Sequence, residues 1–202
     1  MQLGNKIWRV GLMAAFMLVA PITSVAFGQG NGVGKAGKAN STSNKTDHRT
    51  NRQQAETYIV VSKQKATLSV YAKREGKDTL LVQYPCCVGK NYGDKQKSGD
   101  MRTPESEPGK PFKVTQIQPA GNWKHDFKDG RGSILAYGKW FIRLSAKGWK
   151  GIGIHGSTNN EESVPGRGSE GCIRLKDKDI IHLKENYVYI GMKVIVEPDL
   201  KK

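Results

Sequence analysis

One histidine and one cysteine, His155 and Cys172, share the stretch IGIHGSTNNEESVPGRGSEGCIRL. The apolar run Ile152-Gly153-Ile154 ahead of His155 reads as the end of a buried strand. Gly-Ser-Thr-Asn-Asn after it reads as a loop. A second loop, Pro165-Gly166-Arg167-Gly168-Ser169, delivers Cys172 to another short apolar stretch. Two strand–loop junctions can thus bring an imidazole and a thiol face to face. A free thiol is mostly protonated at neutral pH, and the thiolate is the nucleophile. A neighbouring imidazolium lowers the thiol pKa and later returns a proton to the leaving group. Gly171 lets the backbone approach a substrate closely, and the N–H groups of Gly171 and Cys172 can turn toward a developing oxyanion. In an extended chain Arg174 shares a face with Cys172. A guanidinium there suits a substrate carboxylate. A plain core reading fits the same residues: a Cys beside Ile and Leu as a small packing group, and a His on an apolar strand as a satisfied one. Spacing alone does not separate the two.

The elements that must position this pair lie in residues 56–202, enough chain for one domain and one core. Thr57 to Val61 reads as a strand. Ser62 to Lys65 makes a turn, and Ala66 to Tyr71 is its hairpin partner. Thr79 to Val88, stalled by Pro85, is a third strand. Phe112 to Gln118 and Tyr137 to Leu144 are a fourth and fifth, and Tyr187 to Glu197, interrupted by Gly191, is strand-like again. Asp177 to Lys184 has helical spacing, with Asp177 as its expected N-cap. The expected class is mainly β, a sandwich or barrel with one or two short helices. Gly89 to Lys110 is charged and nearly free of apolar residues, and such long loops are usually functional or disordered. Trp140 and Trp149 flank strands and read as core or rim packing; Trp123 and His125 sit in a polar loop, where lining a substrate groove is the less favoured of their two readings. Cys86 and Cys87 are neighbours in a strand, so their side chains point to opposite faces. A bond between them would be strained, and both read as packing residues.

The motif itself resembles a known family. HGS followed by SEGCIRL is similar to the signature of the bacterial L,D-transpeptidases, the YkuD-type catalytic domain: His-Gly, a spacer, then Ser-x-Gly-Cys-x-Arg. His155, Gly156, Ser169, Gly171, Cys172 and Arg174 match it. Glu170 departs, because many members carry His or Arg there. Met101 to Glu105, with Phe112 following, resembles the family's Thr-Pro-x-Gly-x-Phe segment in a somewhat longer loop, placing Thr103-Pro104 near the groove. The resemblance spans about Thr57 to Pro198. It implies a β-sandwich-like fold and a cysteine enzyme acting on peptidoglycan stem peptides. Cys172 would attack the amide carbonyl before a terminal D-alanine. His155 would move the proton, oriented by the Gly156 carbonyl. Gly171 and Cys172 amides would hold the oxyanion, and Ser169 and Arg174 would shape the site. The thioester would pass to an amine of a second stem, giving a 3–3 cross-link, or to another amine acceptor. No metal or organic cofactor is implied. The rival readings are hydrolysis of the same bond, as an L,D-carboxypeptidase or amidase, and a non-catalytic wall-binding module.

Ahead of the domain, Met1 to Ala26 carries Lys6 and Arg9, then an apolar run from Val10 to Ala20 and small residues at Ser24-Val25-Ala26. The run is short for a membrane span, and the pattern is that of a secretory signal. Residues 27–55 are rich in Gly, Asn, Ser, Thr and Lys, a composition that cannot offset its ordering entropy by burial, and read as a flexible tether. The chain carries a formal charge of +15, which attracts anionic polymers. No zinc knuckle, helix-turn-helix or aromatic RNA-binding pattern is present, so nucleic acid is not an expected partner. Stem peptides as donor and acceptor, and anionic cell-wall polymers, are. The expected location is the periplasm or cell envelope, with the membrane engaged only through the export signal.

Overall fold

The computed structural model describes residues 56–199. The expected signal and tether lie outside the described residues. Alternating β-branched and polar side chains build the first strands. β1 (Glu56–Ser62) turns Ile59 and Val61 inward, and β2 (Thr67–Arg74) turns Leu68, Val70 and Ala72 inward. The two pair antiparallel from Glu56↔Lys73 to Ser62↔Thr67, the hairpin that the pattern predicts. β3 (Lys77–Pro85) pairs on the outer side of β2. β4 (Cys87–Gly89), β5 (Phe112–Pro119), β6 (Lys124–Asp126), β7 (Ser133–Leu135), β8 (Trp140–Leu144), β9 (Gly153–His155), β10 (Gly166–Ser169), β11 (Ile173–Arg174), α1 (Asp177–Asn186) and β12 (Lys193–Val196) follow. A 3-10 turn, Glu161–Ser163, interrupts the connection from β9 to β10.

Ten strands form one ladder in the order β10-β4-β11-β9-β8-β5-β12-β1-β2-β3, and β6 and β7 form a separate hairpin. The ladder bends over a single core. Ile59, Val70, Phe112, Ile142, Ile154, Ile173, Ile180 and Leu183 belong to one buried cluster, although they come from both halves of the ladder and from α1. Each such side chain withdrawn from water contributes roughly 1.5–3 kcal/mol. The bend is visible in β5. Phe112 and Lys113 pair with β12, while Val114 to Pro119 pair with β8 across an irregular register. A second corner lies at Cys86. Its N–H donates to Ala66 O (2.8 Å) beside β2, and its carbonyl accepts from Gly166 N (3.0 Å) at the start of β10. One residue therefore joins the two far ends of the ladder, as expected where a strand switches sheets.

Several expected boundaries move. The strand predicted for Thr79 to Val88 breaks at this Cys86 corner into β3 and β4. The one predicted from Tyr137 starts at Trp140, because Gly138 adopts φ 65°. The stretch from Tyr187 gives only Lys193–Val196, since Tyr187 and Val188 N–H groups fold back onto Leu183 O and close α1. The helix is present, but its N-cap is Lys176 and not Asp177. The Asp177 carboxylate turns to the loop after His155 instead. Cys86 and Cys87 are both buried and free, and Trp140 and Trp149 pack against the core. Lys63, in the expected turn, is buried. Its ammonium contacts Glu105 (2.5 Å) and Asp199 (3.2 Å). A buried charge needs such partners, and both lie far along the chain, where no local pattern shows them.

Candidate active site

β9 ends on His155, and β11 begins one residue after Cys172; the two strands are parallel neighbours with Ile173↔Ile154 and Arg174↔His155 in register. Period two puts Ile154 and Ile173 on the core face, where both are fully buried. His155, Arg174 and Cys172 are left on the opposite face. All three line one cavity of about 350 Å³. The chemistry-bearing positions alternate with the apolar ones because the same two strands must serve core and site.

The His155 ring stacks on Phe141 (centroids 5.5 Å, 12° between planes) and tilts against Tyr137 at 4.8 Å. Its Nδ1–H donates to the Gly156 carbonyl at 2.6 Å. This leaves Nε2 as the free lone pair. Burial drives the imidazole pKa down to about 3; the Gly156 bond opposes this, and the charges of Arg174 and His125 reinforce it. The loop after His155 is clamped from α1. Asp177 Oδ1 accepts from Ser157 N (2.8 Å), Asp177 Oδ2 accepts from the Thr158 hydroxyl, and Ser157 Oγ donates to Leu175 O (2.7 Å). Gly156 has no room for a side chain: a Cβ would sit 2.4 Å from Asp177 Oδ1 and 2.7 Å from Gly138 Cα.

Cys172 is half-buried, and its S–H donates to Gly151 O at 3.3 Å. Burial pushes the thiol pKa up; the Gly153 N–H and the charges of Arg174 and Arg143 pull it down less strongly. Both shifts favour the uncharged forms, thiol and imidazole, before any substrate is bound. The reason is the aromatic box, which excludes the water that a charged ring needs. The turn carrying the cysteine is held by Ser169, whose Oγ donates to Cys172 O (2.5 Å) and accepts the Gly171 N–H (3.1 Å). Gly171 itself has φ 138°, and a Cβ there would meet Arg102 O at 2.9 Å. Arg174 is buried and stands over the Phe127 ring at 4.9 Å. With the Asn160 amide turned so that like atoms do not face each other, Asn160 O accepts from Arg174 Nη1 at 2.8 Å.

The model of the L,D-transpeptidase catalytic domain, YkuD, matches residues 56–196. The chain belongs to this family. Its relatives include YqjB of Bacillus subtilis, 30% identical over 144 residues that cover 70% of this chain and 72% of that one. YkuD of Bacillus licheniformis is 29% identical over 140 residues, covering 69% and 65%. Among solved structures, an L,D-transpeptidase from Mycobacterium smegmatis aligns with TM-score 0.51 at 21% identity, over 71% of this chain and 59% of that one. Bd1075 from Bdellovibrio bacteriovorus aligns with TM-score 0.50 at 21% identity, over 73% and 49%. At that identity the two structures share the fold, and this chain spans only part of their length.

Within this L,D-transpeptidase domain, Thr103 is buried and its hydroxyl accepts from Gly89 N at 2.7 Å, bracing the loop from behind. The cavity wall comes instead from the same loop at Lys95, Ser98 and Gly99. That loop is ordered by Asp100, which accepts from Lys95 Nζ (2.8 Å), Gln96 N (2.7 Å), Lys97 N (3.1 Å) and Arg102 N (3.1 Å). Sequence reasoning missed Tyr137 and Phe127 as walls and left His125 in doubt. His125 lies on β6 and lines the cavity, its Nε2 3.1 Å from Glu170 Oε2. Trp123 packs against Tyr137 and Phe141. Among the described residues no cluster of three His, Cys, Asp or Glu could hold a metal.

Proposed function

We propose that this chain is an exported cysteine L,D-transpeptidase that works on peptidoglycan stem peptides through a thioester acyl-enzyme. The observation that supports it most is the shared face and cavity of Cys172, His155 and Arg174, with Gly156 fixing the imidazole tautomer. The thiol swings from Gly151 O toward His155 Nε2, a tightening expected when substrate arrives. Sulfur attacks the carbonyl of the third stem residue while its proton passes to Nε2. The Cys172 N–H, with that of Gly171 once Ser169 releases it, faces the oxyanion. His155 then protonates the departing D-alanine amine, and a thioester remains. An amine of a second stem attacks it. The C–N bond forms, the C–S bond breaks, and the amine proton returns through Nε2 to sulfur. Arg174, braced by Asn160 and Phe127, holds a substrate carboxylate. Ser169 keeps the turn in shape. The net charge of +15 draws the protein to anionic wall polymers of the envelope it is exported to.

Intact-mass measurement after exposure to a D-alanine-ending tetrapeptide tests this. The wild type is expected to gain the tripeptide acyl mass and release D-alanine, then form dimers with added acceptor. Cys172→Ala is expected to do neither. No adduct on reduced wild-type protein overturns the reading; tripeptide without dimers at any acceptor concentration replaces transfer by hydrolysis.

A further inference from the structure

The cavity is cationic apart from one group. Glu170 is the one carboxylate among the described residues lining it, beside Lys95, Lys150 and Arg174. It sits two residues before Cys172 on the turn that Ser169 braces. Its side chain is 47% exposed, so it is reachable from the cavity. One oxygen meets His125 Nε2 at 3.1 Å. The His125 ring is itself fixed, edge-on to Phe127 at 4.6 Å and to Tyr137 at 6.3 Å. The carboxylate is therefore aimed, with its second oxygen open to a ligand. Two of these cations have partners of their own: Lys95 on Asp100 (2.8 Å) and Arg174 on Asn160 (2.8 Å).

From this arrangement we propose that Glu170, oriented by His125, binds the ammonium group of the acceptor and so favours an amine over water at the thioester. The proposal rests on the acyl-transfer reading of the same cavity. Charge complementarity divides the two substrates. The donor brings a carboxylate next to the scissile bond, which suits Arg174 and Lys150. The acceptor arrives as a primary ammonium, and only Glu170 matches it. Binding there raises the local concentration of the amine beside the sulfur. The ammonium releases one proton to solvent before the neutral nitrogen attacks. The Glu170 charge also pushes the Cys172 thiol pKa up. Neutralising Glu170 should therefore ease acylation while weakening transfer, two effects of opposite sign.

The test uses the full chain, a D-alanine-ending tetrapeptide as donor and Nα-acetyl-lysine amide as acceptor. In Glu170→Gln the acylation rate is expected to match or exceed the wild type. The half-saturating acceptor concentration is expected to rise about three- to fivefold, the size of an exposed ion pair, with more tripeptide released by water. Glu170→Lys should lose more, and His125→Gln should shift half-saturation in the same direction by less. A Tm within a degree or two of wild type confirms folding, as an exposed position allows. Unchanged half-saturation in Glu170→Gln, or equal losses in acylation and transfer, overturns the proposal. A wild type that is never acylated is a different result: it removes the enzyme reading beneath.

Discussion

His155 donates its Nδ1–H to the carbonyl oxygen of Gly156, the next residue in the chain, at 2.6 Å. A neutral amide oxygen thus stands where many cysteine and serine enzymes place a carboxylate. It fixes the tautomer but adds no negative charge to raise the ring's basicity. With the ring buried and its pKa pushed down to about 3, forming an imidazolium is costly. In the proposed reaction, proton transfer to Nε2 therefore accompanies attack by sulfur.

This predicts the pH dependence of alkylation. The Cys172 thiol pKa lies above its ordinary value of 9.0, so the thiolate fraction near neutrality is small and grows as pH rises. The iodoacetamide rate of the free protein should climb from pH 7 through pH 9 with no plateau on the acid side. His155→Gln should leave that profile in place yet lower donor acylation by about 10²–10⁴-fold. An acid-side plateau would falsify the neutral resting pair.

The clamp from α1 to the His155 loop predicts a positioning effect. Asp177 touches no reacting atom, but it holds Ser157 N and the Thr158 hydroxyl beside the Gly156 carbonyl. Asp177→Ala should reduce kcat by roughly 10–100-fold, the scale of a small misplacement, with KM nearly constant. Steady-state kinetics alongside a thermal melt separates this from simple unfolding; an equal rise in KM would argue against it.

Close packing at Gly156 gives a stability test. A Cβ there would lie 2.4 Å from Asp177 Oδ1, whereas at Gly121 it would meet nothing within 4 Å. Gly156→Ala should destabilise by about 1–3 kcal/mol through overpacking, and Gly121→Ala by no more than about 0.5 kcal/mol. Urea denaturation of the two variants measures the difference; equal losses would mean that the loop yields freely.

The Asp199 carboxylate, its side chain 4% exposed, sets an acid limit. Burial opposes its charge, but the Gly93 N–H and the Lys63 and Arg167 charges outweigh this and hold the carboxyl below its ordinary 3.8. A depressed folded pKa contributes stability that is full above 3.8 and is lost as pH falls through the folded value. Asp199→Asn should therefore lower stability by about 2–3 kcal/mol at pH 7, and wild type and variant should converge as the pH falls below 3. A constant gap between their denaturation midpoints from pH 7 to pH 3 would contradict this.

The sequence by itself determined the local periods. Alternation in Glu56–Ser62 and Thr67–Arg74, and the spacing of Ile180 and Leu183, follow from each element having one buried face, and that is written in adjacent residues. That His155 and Cys172 could meet was legible from the Gly- and Pro-marked junctions they sit at, while their reading as a catalytic pair came from the resemblance of the motif. What only the tertiary structure decided depends on residues far apart in the chain. The strand from Thr79 breaks at Cys86 because the ladder's two ends meet there. Lys63 is buried because Glu105 and Asp199 come to it. Asp177 does not cap the helix, and its carboxylate accepts from the Ser157 N–H and the Thr158 hydroxyl in the His155 loop. The His155 pKa is pushed down because burial, to which Phe141 and Tyr137 contribute, disfavours the charged ring. Burial and charge pairing are sums over neighbours in space, and a linear chain does not list those neighbours.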